Sequence, residues 1–155
     1  MLRRLILLPA AASAALLGFT GPASATVTET THQMKLVETF VDVVPTCDAS
    51  GESYVITTTT NTHEHITMLD NGGIRDTFTQ SGKVSAVPED GTGPSYTGVL
   101  STWGNFHQDA DGSNLGGFTF NLNLKGSDGS TVHHHENGHS MQAPDGTVRE
   151  FFRCH

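Results

Sequence analysis

A strict alternation of apolar and polar side chains between Phe118 and Lys125 constrains the fold more than any other feature of the sequence. The apolar set is Phe118, Phe120, Leu122 and Leu124, and the polar set is Thr119, Asn121, Asn123 and Lys125. Because successive side chains of a β-strand point to opposite faces, this segment forms a strand with one buried face and one wet face. Residues after position 25 show no apolar stripe at helical spacing. The sequence therefore predicts an all-β protein.

Turn sequences divide the remaining chain into further strands. They combine glycine and asparagine, which tolerate positive φ, with proline, aspartate and serine. The clearest are Asp70-Asn71-Gly72-Gly73, Pro88-Glu89-Asp90-Gly91-Thr92-Gly93-Pro94, Ser127-Asp128-Gly129-Ser130 and Pro144-Asp145-Gly146. Their spacing predicts about eight antiparallel strands. Because glycines within strands permit the bends that closure requires, we expect a closed barrel, with a β-sandwich as the alternative.

The first 25 residues have the pattern of a secretory signal peptide. Arg3 and Arg4 precede an apolar run over 5–19, and Ala23-Ser24-Ala25 is a typical cleavage sequence. The apolar run is shorter than the roughly 20 residues that span a bilayer. We therefore expect cleavage and secretion to the extracellular space. A flexible leader over 26–33 and a single domain over 34–155 then follow.

The charge balance excludes several kinds of partner. The chain has 8 basic and 16 acidic residues and a formal net charge of −8. Loss of Arg3 and Arg4 with the signal peptide makes the remainder still more acidic. Such a surface repels phosphate backbones and anionic lipids. We therefore expect neither a nucleic acid nor a membrane surface as a partner.

The chain has two cysteines, Cys47 and Cys154. In an exported protein they meet an oxidising environment, where an even number of cysteines favours a disulfide. Closing a loop of about 100 residues stabilises the native state by roughly 4–5 kcal/mol in the chain-entropy treatment. The sequence thus predicts a disulfide between the end of the first strand and the last strand. A metal-binding pair or two free thiols are the alternatives.

Histidines at alternate positions form the clearest candidate for a metal site. They are His63 and His65 in one segment and His133, His135 and His139 in another. Alternate residues of a strand share a face, and imidazole nitrogens from neighbouring strands can hold zinc or copper. Such a site needs the two segments to be adjacent. If they are not, the histidines are solvated side chains whose charge depends on pH.

The place of His139 depends on whether its strand is continuous. A hairpin turn at Asn137-Gly138 would separate it from the two histidines before it. The segment 139–152 aligns without a gap on 65–78, and each segment begins with a histidine. This internal similarity favours one continuous strand that carries all three histidines on one face.

Two other groups of residues have functional interpretations. Glu64 and Glu136 each lie beside histidines, and either can act as a base if it faces a pocket. The segment 109–114 begins like a calcium loop, but it lacks the glycine and glutamate positions of an EF-hand, so we expect a plain acidic turn. No serine lies in a Gly-x-Ser-x-Gly nucleophile elbow. The sequence therefore favours a protein that is not a classical enzyme.

Several short motifs follow one another in an order that resembles a known group of proteins. They are the signal peptide, Phe40, Pro45-Thr46-Cys47, Gly51-Glu52, His63, the turn at 70–73, Gly93 to Gly98 around Tyr96, and Asp145-Gly146-Thr147-Val148 ahead of Cys154. The chain resembles small secreted β-barrel proteins of actinobacteria that have no assigned function. That resemblance implies a barrel and a disulfide, and no activity. The layout is also loosely similar to lipocalin and allene-oxide-cyclase barrels, which implies an interior that holds a ligand.

Three hypotheses of function follow. The first is that a small apolar or amphipathic molecule binds in the interior, since a barrel of about eight strands can hold one such molecule. The second is zinc or copper binding by the five histidines. The third is cyclase or isomerase activity in the barrel mouth, with Glu64 or Glu136 as the base.

Overall fold

Seven β-strands make up the structure. The computed structural model describes residues 27–44, 47 and 51–155. The strands are β1 (Val27–Val43), β2 (Ser53–Met68), β3 (Ile74–Pro88), β4 (Tyr96–Gln108), β5 (Asn114–Gly126), β6 (Thr131–Gln142) and β7 (Val148–Cys154). They form one sheet in chain order, and each is antiparallel to its neighbours. The predicted all-β, antiparallel class is confirmed, while the predicted signal peptide over 1–25 lies outside the described residues.

In the part of the chain that the structure describes, the sheet is open, so the predicted closed barrel is not supported, and seven strands are present where about eight were predicted. Within the described residues, β1 pairs only with β2 and β7 only with β6, which leaves both as edge strands. The single sheet also differs from the alternative, a β-sandwich. Strand β2 runs unbroken through its threonines. Closure would need hydrogen bonds between β1 and β7, and local alternation and turn signals do not specify such a long-range pairing.

The predicted flexible leader over 26–33 belongs largely to β1. Residues 27–33 pair with 62–68 of β2. The register shifts between Gln33 and Leu36, where Lys35 has a φ of 58° and donates its backbone N–H to Asn61 Oδ1 at 2.9 Å. The polar composition that suggested a leader is that of an edge strand, most of whose side chains are exposed on both faces.

Four hairpins share one turn of five residues, at 69–73, 109–113, 126–130 and 143–147. The first residue donates its N–H to the C=O of the fifth, and its own C=O accepts the N–H of a glycine at the fourth position. These glycines have φ of 84° to 87°, which other residues rarely adopt. The side-chain Oδ1 of the third turn residue accepts a hydrogen bond from the backbone N–H of the fifth. This shared turn accounts for the similarity of 65–78 to 139–152 and makes 109–114 the acidic turn that the sequence predicted.

Burial alternates along the strands and defines two faces of the sheet. On β2 the side chains of Tyr54, Ile56, Thr58 and Thr60 are buried, while their odd-numbered neighbours are more exposed. We call the buried side the inner face and the opposite side the outer face, and the pairing register assigns the other strands to them. The hydrophobic core lies on the inner face at one end of the sheet, the core end. It consists of Val44, Tyr54, Ile56, Val84, Ala86, Leu122 and Leu124.

Two glycines allow the sheet to bend so that these core residues meet. A Cβ at Gly82 would collide with the carbonyl group of Thr59 on β2, and one at Gly98 would collide with that of Asn123 on β5. The neighbouring backbones therefore approach too closely for a side chain at either position. That bends at strand glycines shape the sheet stays a prediction.

A disulfide links Cys47 and Cys154, as the sequence predicted. The two residues are 107 positions apart, and their Cα atoms are 5.5 Å apart. A cross-link over about 100 residues stabilises the native state by about 4.7 kcal/mol in the chain-entropy treatment. Because Cys47 follows β1 and Cys154 ends β7, the bond joins the two edges of the sheet covalently.

Candidate functional sites on the two faces of the sheet

The five histidines predicted as metal ligands all lie on the outer face, but in two separate groups. His63 and His65 are on β2, and the other three are on β6. Strand β6 is continuous through Asn137-Gly138, so the prediction that His139 shares a face with His133 and His135 is confirmed. Strands β3, β4 and β5 lie between the two groups. At about 4.8 Å per strand, the groups are roughly 19 Å apart along the sheet, so they do not form one site.

His63 has a histidine partner that the sequence reasoning missed. His32 lies directly opposite it on β1, with 2.5 Å between the two Nδ1 atoms and 4.5 Å between the ring centroids. Two residues along, His65 Nδ1 lies 3.0 Å from Thr30 Oγ1. His32 was overlooked because its segment was predicted to be a leader. The β-branched threonines around it were the available signal for a strand.

Asparagines hold two of the β6 histidines. His133 Nδ1 lies 2.7 Å from Asn123 Oδ1, and His135 Nδ1 lies 2.6 Å from Asn121 Oδ1. The other nitrogen of His135, Nε2, lies 2.9 Å from Asn137 Nδ2. Since an amide oxygen only accepts, each Nδ1 donates, and the Nε2 of His135 then accepts from Asn137. These contacts form a polar ladder across β5 and β6.

His134 is the one histidine that is buried among the described residues, with 7% of its surface exposed. It lies on the inner face beside the disulfide, where its Nδ1 is 3.7 Å and its Nε2 4.0 Å from Cys154 Sγ. Its Nε2 is also 3.4 Å from Glu136 Oε2. The sequence reasoning placed His134 on the other side of the strand from His133 but did not select it. Its pairing with Leu122, in the clearest alternating strand, is what buries it.

Two carboxylates on the inner face lie at the end of the sheet away from the core, the open end. Burial and the nearby charges of Asp76 and Glu29 raise the pKa of Glu64. Burial also raises the pKa of Asp76, against the opposing effects of His65 and the Thr77 N–H. Asp76 Oδ1 is buried and has no hydrogen-bond partner among the residues that the structure describes. An oxygen in that condition is stabilised by a proton or by a donor from a bound molecule.

Aromatic rings surround these carboxylates on the inner face. Phe106 lies directly opposite Asp76, and Phe78 lies directly opposite Glu64. The ring of Phe118 packs over Gly138 on the next strand, where a Cβ would collide with it. The open end thus combines phenylalanine rings with acidic groups.

Several apolar side chains at the open end are exposed. They lie on the inner face of four strands and are 36% to 57% exposed: Val27, Met68, Phe106, Val148 and Phe152. At the core end, by contrast, the inner face of β2, β3 and β5 carries the buried cluster. An apolar surface of this kind, bordered by polar groups, marks a binding surface more often than an inert one.

The two glutamates predicted as possible bases both point to the inner face. Glu64 pairs with Phe78, and Glu136 lies opposite Cys154. The cyclase or isomerase hypothesis requires this orientation. They nevertheless lie on β2 and β6, which have three strands between them, so they do not form an acid–base pair.

A shallow depression lies on the outer face, over the middle of the sheet. Lys35 and Lys83 border it together with the polar side chains of Asn61, Ser81 and Ser101. It is on the opposite side of the sheet from the predicted interior site, and it contacts none of the predicted histidines.

No protein-family model matches the chain, and no significant match was found among curated proteins or solved structures. The resemblance to small secreted proteins of actinobacteria therefore stays a prediction. Among the described residues, no helix has the length and apolar character needed to cross a membrane.

Proposed function

We propose that this protein is secreted and binds a small amphipathic molecule on the inner face at the open end. The molecule has an apolar body and a cationic or hydrogen-bond-donating group. The observation that carries this proposal is the buried Oδ1 of Asp76. Within the described part of the chain it has no donor, and Asp76 lies opposite Phe106, whose ring is exposed.

The apolar surface of the open end supports this choice of ligand. Phe106, Phe152 and Met68 are each at least one-third exposed on the concave side of a bent sheet. Covering apolar surface contributes about 25 cal/mol per Å², and ligand sites are mostly apolar with a few placed polar groups. Because β1 and β7 do not pair, a ligand can enter between them without any strand separating.

The acidic groups favour a cation over an anion. Burial raises the pKa values of Asp76 and Glu64, and the Glu29 and Asp76 charges add to the effect at Glu64. A bound cation near these carboxylates would favour their charged forms and so would be held more tightly than a neutral molecule. An anion with the same apolar body would be repelled.

Three compounds with one apolar body test the proposal by calorimetric titration: phenylbutylamine, phenylbutanol and phenylbutyrate at pH 7. We expect the amine to bind at least about tenfold more tightly than the carboxylate, which corresponds to about 1.4 kcal/mol. Asp76→Asn should reduce the affinity for the amine to that for the alcohol. Asp70→Asn, in the exposed β2–β3 turn, is the matched control and should change nothing.

The proposal fails if none of the three compounds binds, or if the amine and the carboxylate bind equally well. An amine affinity that Asp76→Asn leaves unchanged would also contradict it, because the charge would then be recognised elsewhere.

Zinc or copper binding is a second candidate function, favoured by the convergence of His32 and His63. Two imidazole nitrogens at this separation need only a small rotation of each ring to admit a metal ion about 2 Å from both. His65, two residues along the same face, is the nearest further ligand in sequence. This site replaces the predicted set of five histidines with three on two adjacent strands.

A further inference from the structure

We propose that the disulfide covers a latent metal site, which Cys47, Cys154 and His134 form when the bond is reduced. One potential ligand atom from each of these residues lies within 4.8 Å of the other two. The three residues come from the β1–β2 connection, β7 and β6. This site is independent of both functions proposed above, because it shares no residue with either.

The position of His134 is what a metal ligand in this site requires. Its Nδ1 is 3.7 Å from Cys154 Sγ. Zinc lies about 2.3 Å from sulfur and about 2.0 Å from nitrogen, so tetrahedral ligands of these kinds are roughly 3.5 Å apart. The imidazole thus already stands at about the right distance from one sulfur. Its ring is held by an edge contact with Phe120, at 5.8 Å between ring centroids.

Glu136 contacts the other ring nitrogen of the same imidazole. Its Oε2 is 3.4 Å from His134 Nε2, so Nε2–H can donate to the carboxylate while Nδ1, the nitrogen nearer to Cys154 Sγ, binds the metal. A carboxylate behind a ligating histidine fixes the tautomer and the ring orientation in many zinc sites. Two thiolates and one imidazole then leave a fourth position on the metal for water.

Reduction is what makes the sulfurs available. A dithiol reductant transfers two electrons and two protons to the bond, becomes a disulfide itself and leaves a thiol at each cysteine. A divalent metal ion then displaces the two thiol protons, which pass to solvent, and binds two thiolates. Cys47 is exposed, so the reductant reaches the bond from that side. In the reduced protein the metal takes over the link between the two edges of the sheet.

Cobalt(II) is the probe, because cobalt–thiolate ligation produces a charge-transfer absorption that histidine-only sites lack. The full chain is reduced with a water-soluble phosphine, freed of it without oxygen, and titrated with cobalt. We expect one cobalt ion per chain with the thiolate absorption, and no such absorption in the oxidised protein. His134→Ala should weaken binding by at least about tenfold. His133→Ala, the adjacent residue on the outer face, is the matched control and should bind like the wild type.

Absence of the thiolate absorption in the reduced wild type would overturn the proposal. Equal affinity in the reduced His134→Ala protein would also overturn it, because the thiolates alone would then hold the ion. If reduction unfolds the chain, zinc must restore a cooperative thermal transition to the wild type and not to His134→Ala. Failure of zinc to do so would count against the site as well.

Discussion

His32 and His63 face each other across β1 and β2 with 2.5 Å between their Nδ1 atoms. With opposite tautomers, one Nδ1 donates a proton that the other accepts. The pair is exposed, so a metal ion can replace the shared proton without entering the core.

Replacing either histidine of this pair should weaken metal binding by the oxidised protein. We expect His63→Ala to weaken zinc or copper affinity by at least about tenfold, or about 1.4 kcal/mol, because one of two facing ligands is lost. His133→Ala, whose ring is held by Asn123 on β5, should leave the affinity unchanged. Calorimetric titration of the oxidised proteins measures these affinities. Equal affinities for His63→Ala and wild type would contradict a metal site at this pair.

The Asp76 carboxyl should make the protein less stable as the pH rises. Burial holds its pKa above the usual value, so the folded state binds the proton more tightly than the unfolded chain does. Stability therefore falls as pH rises from the unfolded pKa of about 3.9 to the raised folded pKa.

Asp76→Asn removes that titration. It should raise the stability at pH 7 by about 0.5 kcal/mol, a size that allows for the partial exposure of the group. The gain should disappear below about pH 4, where the wild-type carboxyl is protonated in both states. Thermal unfolding from pH 3 to 8 measures this, with Asp70→Asn as the control. A destabilised Asp76→Asn at pH 7 would contradict the expectation.

The turn aspartates should act in the opposite direction. Hydrogen bonds from the Ser130 hydroxyl and N–H lower the pKa of Asp128, which is fully exposed. Its contribution to stability is present above the ordinary pKa of about 3.9 and is lost as the pH falls through the lowered value. Asp128→Asn should keep the turn, as Asn71 does in the β2–β3 hairpin. We expect a shallower loss of melting temperature in acid for this variant, and an unchanged acid profile would refute it.

Gly98 should be intolerant of any side chain. A Cβ there would collide with the Asn123 carbonyl on β5, so Gly98→Ala should destabilise the protein by about 1–3 kcal/mol. Gly116 also lies on the inner face, but a Cβ there would be no closer than 3.4 Å to its neighbours. Gly116→Ala should therefore cost less than about 1 kcal/mol. Denaturant unfolding measures the free energy of unfolding of both variants. Equal losses of stability would mean that the close approach at Gly98 is not what shapes the sheet.

Local features of the sequence predicted most of the strands and turns, and the number of cysteines predicted the disulfide. The alternation from Phe118 to Lys125 is β5, and the aspartate–glycine turns close their hairpins as expected. These features could be predicted because side-chain periodicity and positive φ are decided by residues close together in the chain. The pairing of Cys47 with Cys154 followed because the chain offers no other partner.

Only the tertiary structure decided which residues meet across the sheet. It left β1 and β7 unpaired, placed His32 against His63, and separated the β2 histidines from those of β6. It also turned His134 toward the disulfide and buried the Oδ1 of Asp76. These contacts depend on register and on the bend at Gly82 and Gly98. Both arise from the packing of whole strands against one another, which no short stretch of sequence specifies.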